Sequence, residues 1–325
     1  MGHLESTEPM AGTTSTTQCL VFFTLCAVCL LGSLHFFEVF PLMHGLQGKW
    51  VGVILEGQLG NQLWAMASSH GIAKARNANW CWVDTTGRWD TYHHYIQWLV
   101  PAPTKCDNTG WTDQISWFFS PYHFISDNGN FAKYQDTFVS SDNPHILVKG
   151  MLQSYKFFDA ELPIPFKLRA ASMARRWVIS RNITVAIHIR RGDKLWDIGN
   201  VVPPLSYYTL SISMLTQLFP QDLQTFVIAT DDPAWVQAQP EFSGMHTLMS
   251  EDPSFDMAVI AACKHKILSI GTFGWWGAYL GDTGDNRTSA IIYPVLQMAW
   301  PKASGFNNSD YFPPHWTGID YALES

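Results

Sequence analysis

Charged residues are scarce in this sequence. Asp, Glu, Lys and Arg make up 14% of the 325 residues, whereas an average soluble domain carries about a quarter. Acidic residues outnumber basic ones, 27 to 20, which gives a formal net charge of −7. Because a protein that binds nucleic acid presents a basic surface to the phosphates, this balance argues against a nucleic-acid partner.

Patterns that bind metal ions are missing as well. The sequence contains no Asp-x-Asp pair, although a divalent cation that bridges a nucleotide diphosphate requires clustered carboxylates. None of the six cysteines belongs to a Cys/His cluster with the spacing of a zinc site. We therefore predict chemistry that uses no metal ion.

Half of the cysteines lie inside an apolar N-terminal run, where a small apolar side chain is the simplest explanation. The others are Cys81, Cys106 and Cys263. These three allow one disulfide and leave one thiol, and the sequence does not fix which two pair.

Apolar residues make up 47% of the chain, and many are concentrated near its start. Residues 19–37 carry no charge, and about twenty apolar residues in a helix span the hydrocarbon core of a bilayer. A cleaved signal peptide begins with basic residues, but residues 1–18 contain neither Lys nor Arg. We therefore predict a retained transmembrane helix over 19–40, between a tail over 1–18 and a short stem over 41–49.

Two signals for the orientation of this span disagree. Lys49 follows the span while no Lys or Arg precedes it, so the positive-inside rule favours a cytosolic position for the main part of the chain. Three Asn-x-Ser/Thr sequons, at Asn182, Asn286 and Asn307, favour a lumenal position, where they would be glycosylated. The residues alone leave both orientations open.

Beyond the stem, apolar runs typical of buried strands alternate with segments of helical periodicity. Strands are predicted at residues 51–55, 80–83, 185–189, 225–229, 246–249, 266–270 and 290–293. Helices are predicted up to about residue 76 and at residues 206–219, 233–239, 254–263 and 272–280. Such alternation implies an α/β fold with parallel, doubly wound sheets, which bind ligands at the carboxyl ends of their strands.

The stretch 85–145 is rich in aromatic and turn residues and shows no clear pattern. The βα regions on either side of it indicate two Rossmann-like domains around a cleft. We assign an N-terminal domain to residues 50–180, a C-terminal domain to residues 181–300, and a C-terminal tail to residues 301–325.

The turn after the first predicted strand resembles part of a dinucleotide-binding fingerprint. Gly57 and Gly60 precede a helix, and Asp84 closes the second strand near the expected offset. The first glycine of the G-x-G-x-x-G pattern is missing, because Leu55 occupies its position. A nicotinamide-dependent oxidoreductase is therefore only an alternative, although the two glycines would still let backbone amides approach an anion.

A cluster of cations follows the predicted strand at 185–189. The segment His188-Ile189-Arg190-Arg191-Gly192-Asp193-Lys194 brings three cations into five residues. Arginine stays charged and presents a planar fork of donors to phosphate oxygens, so this segment predicts a pyrophosphate site. A surface ion cluster with Asp193 is the alternative.

Two acidic residues follow the predicted strand at 225–229, within Thr230-Asp231-Asp232-Pro233. A carboxylate at this position would accept two N–H groups from the edge of a guanine. An aspartate before proline is also typical of a turn or a helix N-cap. Both interpretations of Asp231 and Asp232 stay open.

A glycine-rich turn, Gly271-Thr272-Phe273-Gly274, precedes the last predicted helix. Thr272 suits an N-cap, and the small residues leave backbone amides exposed to a phosphate. We expect the tryptophan pair that follows, Trp275 and Trp276, to pack in the core rather than to form a platform for a sugar.

The order of these motifs resembles one known family. Along the chain come Gly57-x-Leu59-Gly60-Asn61-Gln62, Gly150-x-x-Gln153-Ser154-x-Lys156-x-Phe158, the segments at 188–194 and 230–233, Gly271-Thr272-Phe273-Gly274 and Phe312-Pro313-Pro314-x-Trp316-Thr317-Gly318. This series is similar to that of the alpha-1,2-fucosyltransferases of glycosyltransferase family eleven, specifically the animal galactoside 2-alpha-L-fucosyltransferases. The resemblance extends over residues 51–319.

The resemblance implies a GT-B-like fold and a single-pass type II topology in the Golgi membrane, with a cytoplasmic tail and a lumenal catalytic part. It implies GDP-fucose as the donor substrate, a galactose-terminated glycan as the acceptor, and no bound cofactor. The reaction would be inverting, metal-independent transfer of L-fucose to the 2-hydroxyl of a terminal β-galactoside. A catalytically silent Golgi protein that binds a nucleotide sugar or a glycan is the alternative.

The resemblance also assigns roles to residues. Arg190 and Asp193 would act in catalysis, Arg190 by binding the donor diphosphate. The donor-binding set would be Gly60, Asn61, His188, Arg190, Arg191, Asp231, Asp232, Thr272, Phe273 and Gly274. A general base would assist the acceptor hydroxyl, and the candidates are Asp193, Asp197, Glu56 and His188.

Overall fold

The computed structural model describes residues 48–83, 99–100, 123–158, 167–222, 225–249, 252–299 and 302–321. All of them belong to one compact unit, Gly48–Ser325. The predicted tail and transmembrane helix lie outside the described residues. In the part of the chain that is described, no helix combines the length and the apolarity needed to cross a membrane.

The described part contains twelve strands, which are β1 (Trp50–Ile54), β2 (Asn79–Val83), β3 (Leu99–Val100), β4 (His123–Ser126), β5 (His145–Lys149), β6 (Lys167–Leu168), β7 (Val185–Ile189), β8 (Phe226–Thr230), β9 (His246–Thr247), β10 (His265–Ile267), β11 (Ile291–Pro294) and β12 (Thr317–Ile319). Its eight α-helices are α1 (Leu59–Ala75), α2 (Thr137–Ser140), α3 (Ala171–Ser180), α4 (Leu205–Leu218), α5 (Pro233–Gln237), α6 (Pro253–Ala262), α7 (Thr272–Leu280) and α8 (Asn308–Tyr311).

Two parallel sheets organise these elements. The first has the strand order β2-β1-β5-β4, and the second has the order β12-β11-β10-β7-β8-β9. Each strand pairing within the two sheets is parallel, while β3 and β6 form a small antiparallel pair. The predicted α/β architecture with parallel sheets is confirmed. The domain limits stay a prediction.

Strand β7 lies inside the second sheet because its sequence is almost entirely apolar. All five of its residues are buried, as is usual for parallel strands with helices on both faces. Its register pairs Ile189 with Thr230 of β8. The two strands therefore end side by side, and the residues that follow them emerge at the same edge of the sheet.

Helices α1 and α7 join the two sheets through buried aromatic rings. Trp64 of α1 contacts Trp275 and Trp276 of α7, with ring centroids 4.1 and 5.4 Å apart. Phe158 and Tyr311 pack against the same Trp64 ring. The expectation that the tryptophan pair belongs to the core is confirmed, and one hydrophobic core extends from the first sheet into the second.

The structure differs from the sequence prediction mainly at short elements. The predicted strand at 266–270 ends as β10 at Ile267, although the next residues stay buried on the way to the turn at Gly271. The strand predicted at 246–249 stops at Thr247, and its apolar Met249 is exposed. Both β4 and α2 fall in the stretch that showed no pattern, since they lack continuous apolar runs.

The cysteines outside the N-terminal run differ in state. Cys81 takes part in a disulfide, and Cys263 is a free, buried thiol whose pKa burial raises to about 12. Cys106 lies outside the described residues. Cys263 is therefore the thiol that the one predicted disulfide leaves over.

Candidate active site

A cleft of about 640 Å³ opens where the strands of the two large sheets end. Asn61 and Gln153 line it on the side of the first sheet. His188, at the end of β7, and Arg190 and Asp193, just beyond it, line the other side. This position follows the rule that parallel α/β sheets bind ligands outside the carboxyl ends of their strands.

The predicted site residues gather at this cleft in two layers. Those that line it are Gly60, Asn61, His188, Arg190, Asp193, Thr272 and Phe273. Those outside the lining are Arg191, Asp231, Asp232 and Gly274. All four candidates for a general base line the cleft as well. The motifs that the sequence scatters over more than two hundred positions therefore meet in one place.

Arg190 is held between two carboxylates at the end of β7. One end of its guanidinium contacts Asp231, and the other contacts Asp193. Asp231 also accepts a hydrogen bond of 2.8 Å from the backbone N–H of Arg191. A Cβ at Gly192 would lie 2.5 Å from the Asp231 carboxylate, so glycine permits this close approach. Arg190 is thus a fixed cation that lines the cleft.

Arg191 has a different environment from its neighbour. Its Nε donates to the Asp232 carboxylate at 3.2 Å, and its guanidinium lies 4.0 Å from the centroid of the Trp235 ring. Asp232 in turn caps α5, accepting a hydrogen bond from the Trp235 N–H at 3.1 Å. The N-cap interpretation therefore holds for Asp232, while Asp231 is the acidic residue that contacts Arg190.

His188 is a buried, neutral side chain beneath the cleft. Its ring stacks on Phe273, with centroids 5.7 Å apart. Burial, together with the charge of Arg190, lowers its pKa to about 4. Its buried Nδ1 has no hydrogen-bond partner among the described residues, and a Cβ at Gly274 would overlap this atom. Gly274 therefore leaves room for the imidazole.

We expect His188 to make the protein less stable in mild acid. The unfolded chain binds a proton at a pKa near 6.5 and the folded chain only near 4, so the free energy of unfolding decreases as the pH falls between these values. The contribution reaches about 3 kcal/mol at most. In urea titrations, the free energy of unfolding should fall less between pH 7 and pH 4.5 in His188→Gln than in the wild-type protein.

Three other histidines, His70, His145 and His265, also have lowered pKa values. Some loss of stability in acid should therefore remain in the His188→Gln variant. An acid loss equal to that of the wild-type protein would show that the buried imidazole does not govern this part of the pH dependence.

Asn61 links the two sides of the cleft. Its Oδ1 accepts hydrogen bonds from the Thr272 hydroxyl at 2.9 Å and from the Gln153 side chain at 3.3 Å. A Cβ at Gly60 would lie 2.5 Å from the Thr272 hydroxyl and 2.8 Å from its carbonyl carbon. Gly60 thus allows α1 to approach the start of α7. This close approach explains the glycine, so a dinucleotide-binding turn is not needed to explain it. Asp84 lies outside the described residues.

The first turn of α7 borders the cleft, and its backbone N–H groups have no partner within the helix, as in the first turn of any α-helix. Gly271, at φ +90°, is the N-cap, and no side chain of the described residues caps this helix. The expectation that Thr272 is the N-cap was wrong, because its hydroxyl bonds to Asn61 instead. Gly271, Thr272 and Phe273 line the cleft, and the positive end of a helix dipole attracts an anion.

Asp127, which no sequence pattern singles out, supports the cleft from the end of β4. Its carboxylate accepts hydrogen bonds from the backbone N–H groups of Met151 at 2.8 Å and Gly129 at 3.2 Å. A Cβ at Gly150, which has φ +140°, would lie 2.5 Å from the same carboxylate. An isolated aspartate in a stretch without pattern carries no signal that predicts this arrangement.

A family model, Glycosyl transferase family 11, matches residues 154–320, about half of the chain. The chain belongs to glycosyl transferase family 11. The matched part contains β7, β8 and α7, and so includes Arg190, Asp231 and the helix N-terminus at the cleft.

Relatives of this family 11 chain include animal and bacterial proteins. It is 31% identical to galactoside alpha-(1,2)-fucosyltransferase 2 of Pongo pygmaeus over 42% of the chain and 40% of that protein. It is 27% identical to galactoside 2-alpha-L-fucosyltransferase Sec1 of Mus musculus over 42% of the chain and 38% of that protein. The chain thus spans about two fifths of the length of these relatives.

Among solved structures, the fucosyltransferase NodZ from Bradyrhizobium is 13% identical, with a TM-score of 0.45 over 71% of this chain and 93% of NodZ.

The acidic side chains in the cleft of this family 11 protein differ in their partners. Lys302, at 2.6 Å, and other donors lower the pKa of Asp197 to about 2. Partial burial raises the pKa of Asp193, but Lys194 and Arg190 outweigh it and the net shift is downward. Glu56 pairs with Lys149 at 3.2 Å on the opposite wall. Asp193 and Asp197 are therefore both ionised at neutral pH.

Two further predictions concern features around the cleft. All three sequon asparagines, Asn182, Asn286 and Asn307, are exposed, as a glycosylation site requires, and their modification stays a prediction. Among the described residues, no group of three or more His, Cys, Asp and Glu side chains is arranged to hold a metal ion. Metal independence of the family 11 chain likewise stays a prediction.

Proposed function

We propose that this chain transfers L-fucose from GDP-fucose to the 2-hydroxyl of a terminal β-galactoside, with inversion and without a metal ion. The observation that carries the proposal is the pairing of Arg190 with the uncapped N-terminus of α7 at one cleft of a family 11 protein. The names of its relatives, galactoside alpha-(1,2)-fucosyltransferases, support the choice of donor sugar, acceptor and linkage.

In this mechanism the donor diphosphate lies between Arg190 and the first turn of α7. Fucose C1 is attacked by the acceptor 2-hydroxyl while GDP leaves from the opposite face, so negative charge builds up on the diphosphate. Fixed cations and oriented amides stabilise such charge without having to reorganise. A carboxylate of the cleft takes the hydroxyl proton.

The surrounding residues keep this arrangement in place. Asp231 and Asp193 fix the guanidinium of Arg190. The neutral His188 beneath Arg190 adds no second positive charge that would repel it. Asn61 ties the helix N-terminus to the acceptor side of the cleft, and we assign to its amide a contact with the fucose or the acceptor.

We further propose that the catalytic part is a GT-B-like pair of Rossmann-like domains in the Golgi lumen. It would follow a cytoplasmic tail and a type II transmembrane anchor. The uncharged N-terminal run and the exposed sequons support this location.

The function is tested with the full chain in detergent, labelled GDP-fucose and lactose, with and without EDTA. Transfer in both conditions, with an α-1,2 linkage identified by NMR, is the expected result. Binding of GDP without transfer would instead favour a silent nucleotide-sugar-binding protein. Transfer that EDTA abolishes would overturn metal independence.

The lumenal location predicts N-glycans at Asn182, Asn286 and Asn307. In animal cells, each Asn→Gln variant at an occupied sequon should lose the mass of one glycan, and endoglycosidase treatment should remove the difference. Asn128→Gln, at an exposed asparagine outside any sequon, should keep the wild-type glycan mass and lose as much mass as the wild-type protein on endoglycosidase treatment. A chain that carries no glycan at any of the three positions would contradict the lumenal location.

A further inference from the structure

The loop after the Arg190 cluster exposes an unusual amount of apolar surface. Large hydrophobic side chains are exposed at eight positions of the described part, and three of these fall within residues 195–198. They are Leu195, Trp196 and Ile198, which are 48%, 85% and 87% exposed. Single exposed hydrophobic residues are ordinary, but a cluster marks a surface that binds something.

This loop forms part of the edge of the cleft. Asp193, Lys194, Asp197 and Asn200 line the cleft, so cleft-lining residues flank Trp196 on both sides along the chain. Leu195, Trp196 and Ile198 are not part of the lining itself, so they lie in the loop beside the proposed active site.

The loop is also held firmly in place. The Asp197 carboxylate is shared between Lys302 at 2.6 Å and Lys194 at 3.4 Å. The Asn200 side chain donates to the Asp197 carbonyl at 3.2 Å, and the Gly199 carbonyl accepts from the backbone N–H of Ala299 at 2.9 Å. A rigid aromatic side chain on an anchored loop loses little entropy when it binds a ligand.

We propose that Trp196, supported by Ile198, is the subsite for the sugar that carries the galactose of the acceptor. A pyranose ring has an apolar face of C–H groups that packs on an indole, and the indole N–H donates to a neighbouring hydroxyl. This inference rests on the proposed function for the galactose itself. It assigns the second ring of the acceptor to the loop over residues 195–198.

The distribution of charge favours this occupant. The anionic nucleotide matches Arg190 and the N-terminus of α7, while Trp196 and Ile198 offer apolar surface without a charge of their own. The negative charge of Asp197 is balanced by Lys194 and Lys302, and these ion pairs fix the loop. The uncharged remainder of the acceptor is the part of the substrates that fits this surface.

The test compares lactose, which has a second ring, with methyl β-galactoside, which has none. In the full chain, Trp196→Ala should raise the KM for lactose about tenfold, the size expected for loss of one stacked ring. The KM values for methyl β-galactoside and for GDP-fucose should not change. Trp196→Phe should restore most of the lactose affinity, and Ile179→Ala, at a 64% exposed position outside the cleft lining, should change nothing.

A binding measurement separates this inference from the transfer reaction. In saturation-transfer NMR, the wild-type protein should saturate protons of both lactose rings, and Trp196→Ala should lose the signal of the glucose ring alone. If the protein shows this NMR pattern but transfers no fucose, the proposed function is wrong and the subsite is still supported. A Trp196→Ala variant with the wild-type KM and NMR pattern would overturn the subsite. It would assign the loop to a membrane or to a second copy of the chain.

Discussion

Arg190→Ala is expected to lower kcat about 10²–10³-fold, the usual effect of removing one fixed group that stabilises the charge of a transition state. Arg190 lines the cleft, and the carboxylates of Asp231 and Asp193 fix its guanidinium. The fold should survive the change, because Asp231 still accepts the hydrogen bond from the N–H of Arg191 and Asp193 still pairs with Lys194. Initial rates with GDP-fucose and lactose, together with a thermal melt, measure both effects.

Arg190→Lys should fall between the wild-type protein and Arg190→Ala, since it retains a positive charge but not the planar fork of donors. Arg287→Ala is the matched control. That side chain is 90% exposed and pairs with its neighbour Asp285, so its removal should leave kcat unchanged. Near-normal turnover in a folded Arg190→Ala protein would remove Arg190 from the mechanism.

A single methyl group at position 60 should be nearly as damaging. Gly60→Ala places a Cβ 2.8 Å from the carbonyl carbon of Thr272 and 2.9 Å from the backbone N of Phe273, and backbone atoms have no alternative rotamer. We expect a loss of about 1–3 kcal/mol in the free energy of unfolding, although alanine is otherwise favoured over glycine in a helix. Because α7 must shift at the cleft, kcat/KM should fall about 10²-fold.

The double variant Gly60→Ala/Thr272→Ala tests whether contact with the backbone of α7 causes this loss of stability. It removes the hydroxyl nearest to the new methyl but leaves the backbone crowding, so urea unfolding should show little recovery of stability. Full recovery would mean that only the Thr272 side chain limits the approach of the two helices.

Much of the fold could be predicted because the signal is local. Strand β7 and helix α7 have the limits that the apolar pattern predicts, since each is encoded by consecutive residues. Arg190 was identifiable as well, because three cations follow a buried strand. The α/β class followed from the alternation of such elements.

The contacts that build the site were not predictable in this way. The bond between Asn61 and Thr272 joins positions 211 residues apart, and no local pattern contains that information. Gly60 looked like part of a nucleotide-binding turn because a tight turn and a close helix contact both require glycine. Strand β4, which carries Asp127 just beyond its end, alternates too few apolar residues to be recognised.

The aromatic core between α1 and α7 bears on how products leave the cleft. Separating the two sheets would bring Trp64, Trp275 and Trp276, all buried, into contact with water. Exposure of apolar surface costs about 25 cal/mol per Å² and each ring buries on the order of 200 Å², so exposing even half of each ring would cost roughly 8 kcal/mol, which is within the range of the stability of a whole domain. Turnover is therefore expected to proceed with the two halves locked together. Under the proposed function, GDP and the fucosylated product leave past the rim, and the rate of release depends on that edge rather than on a hinge.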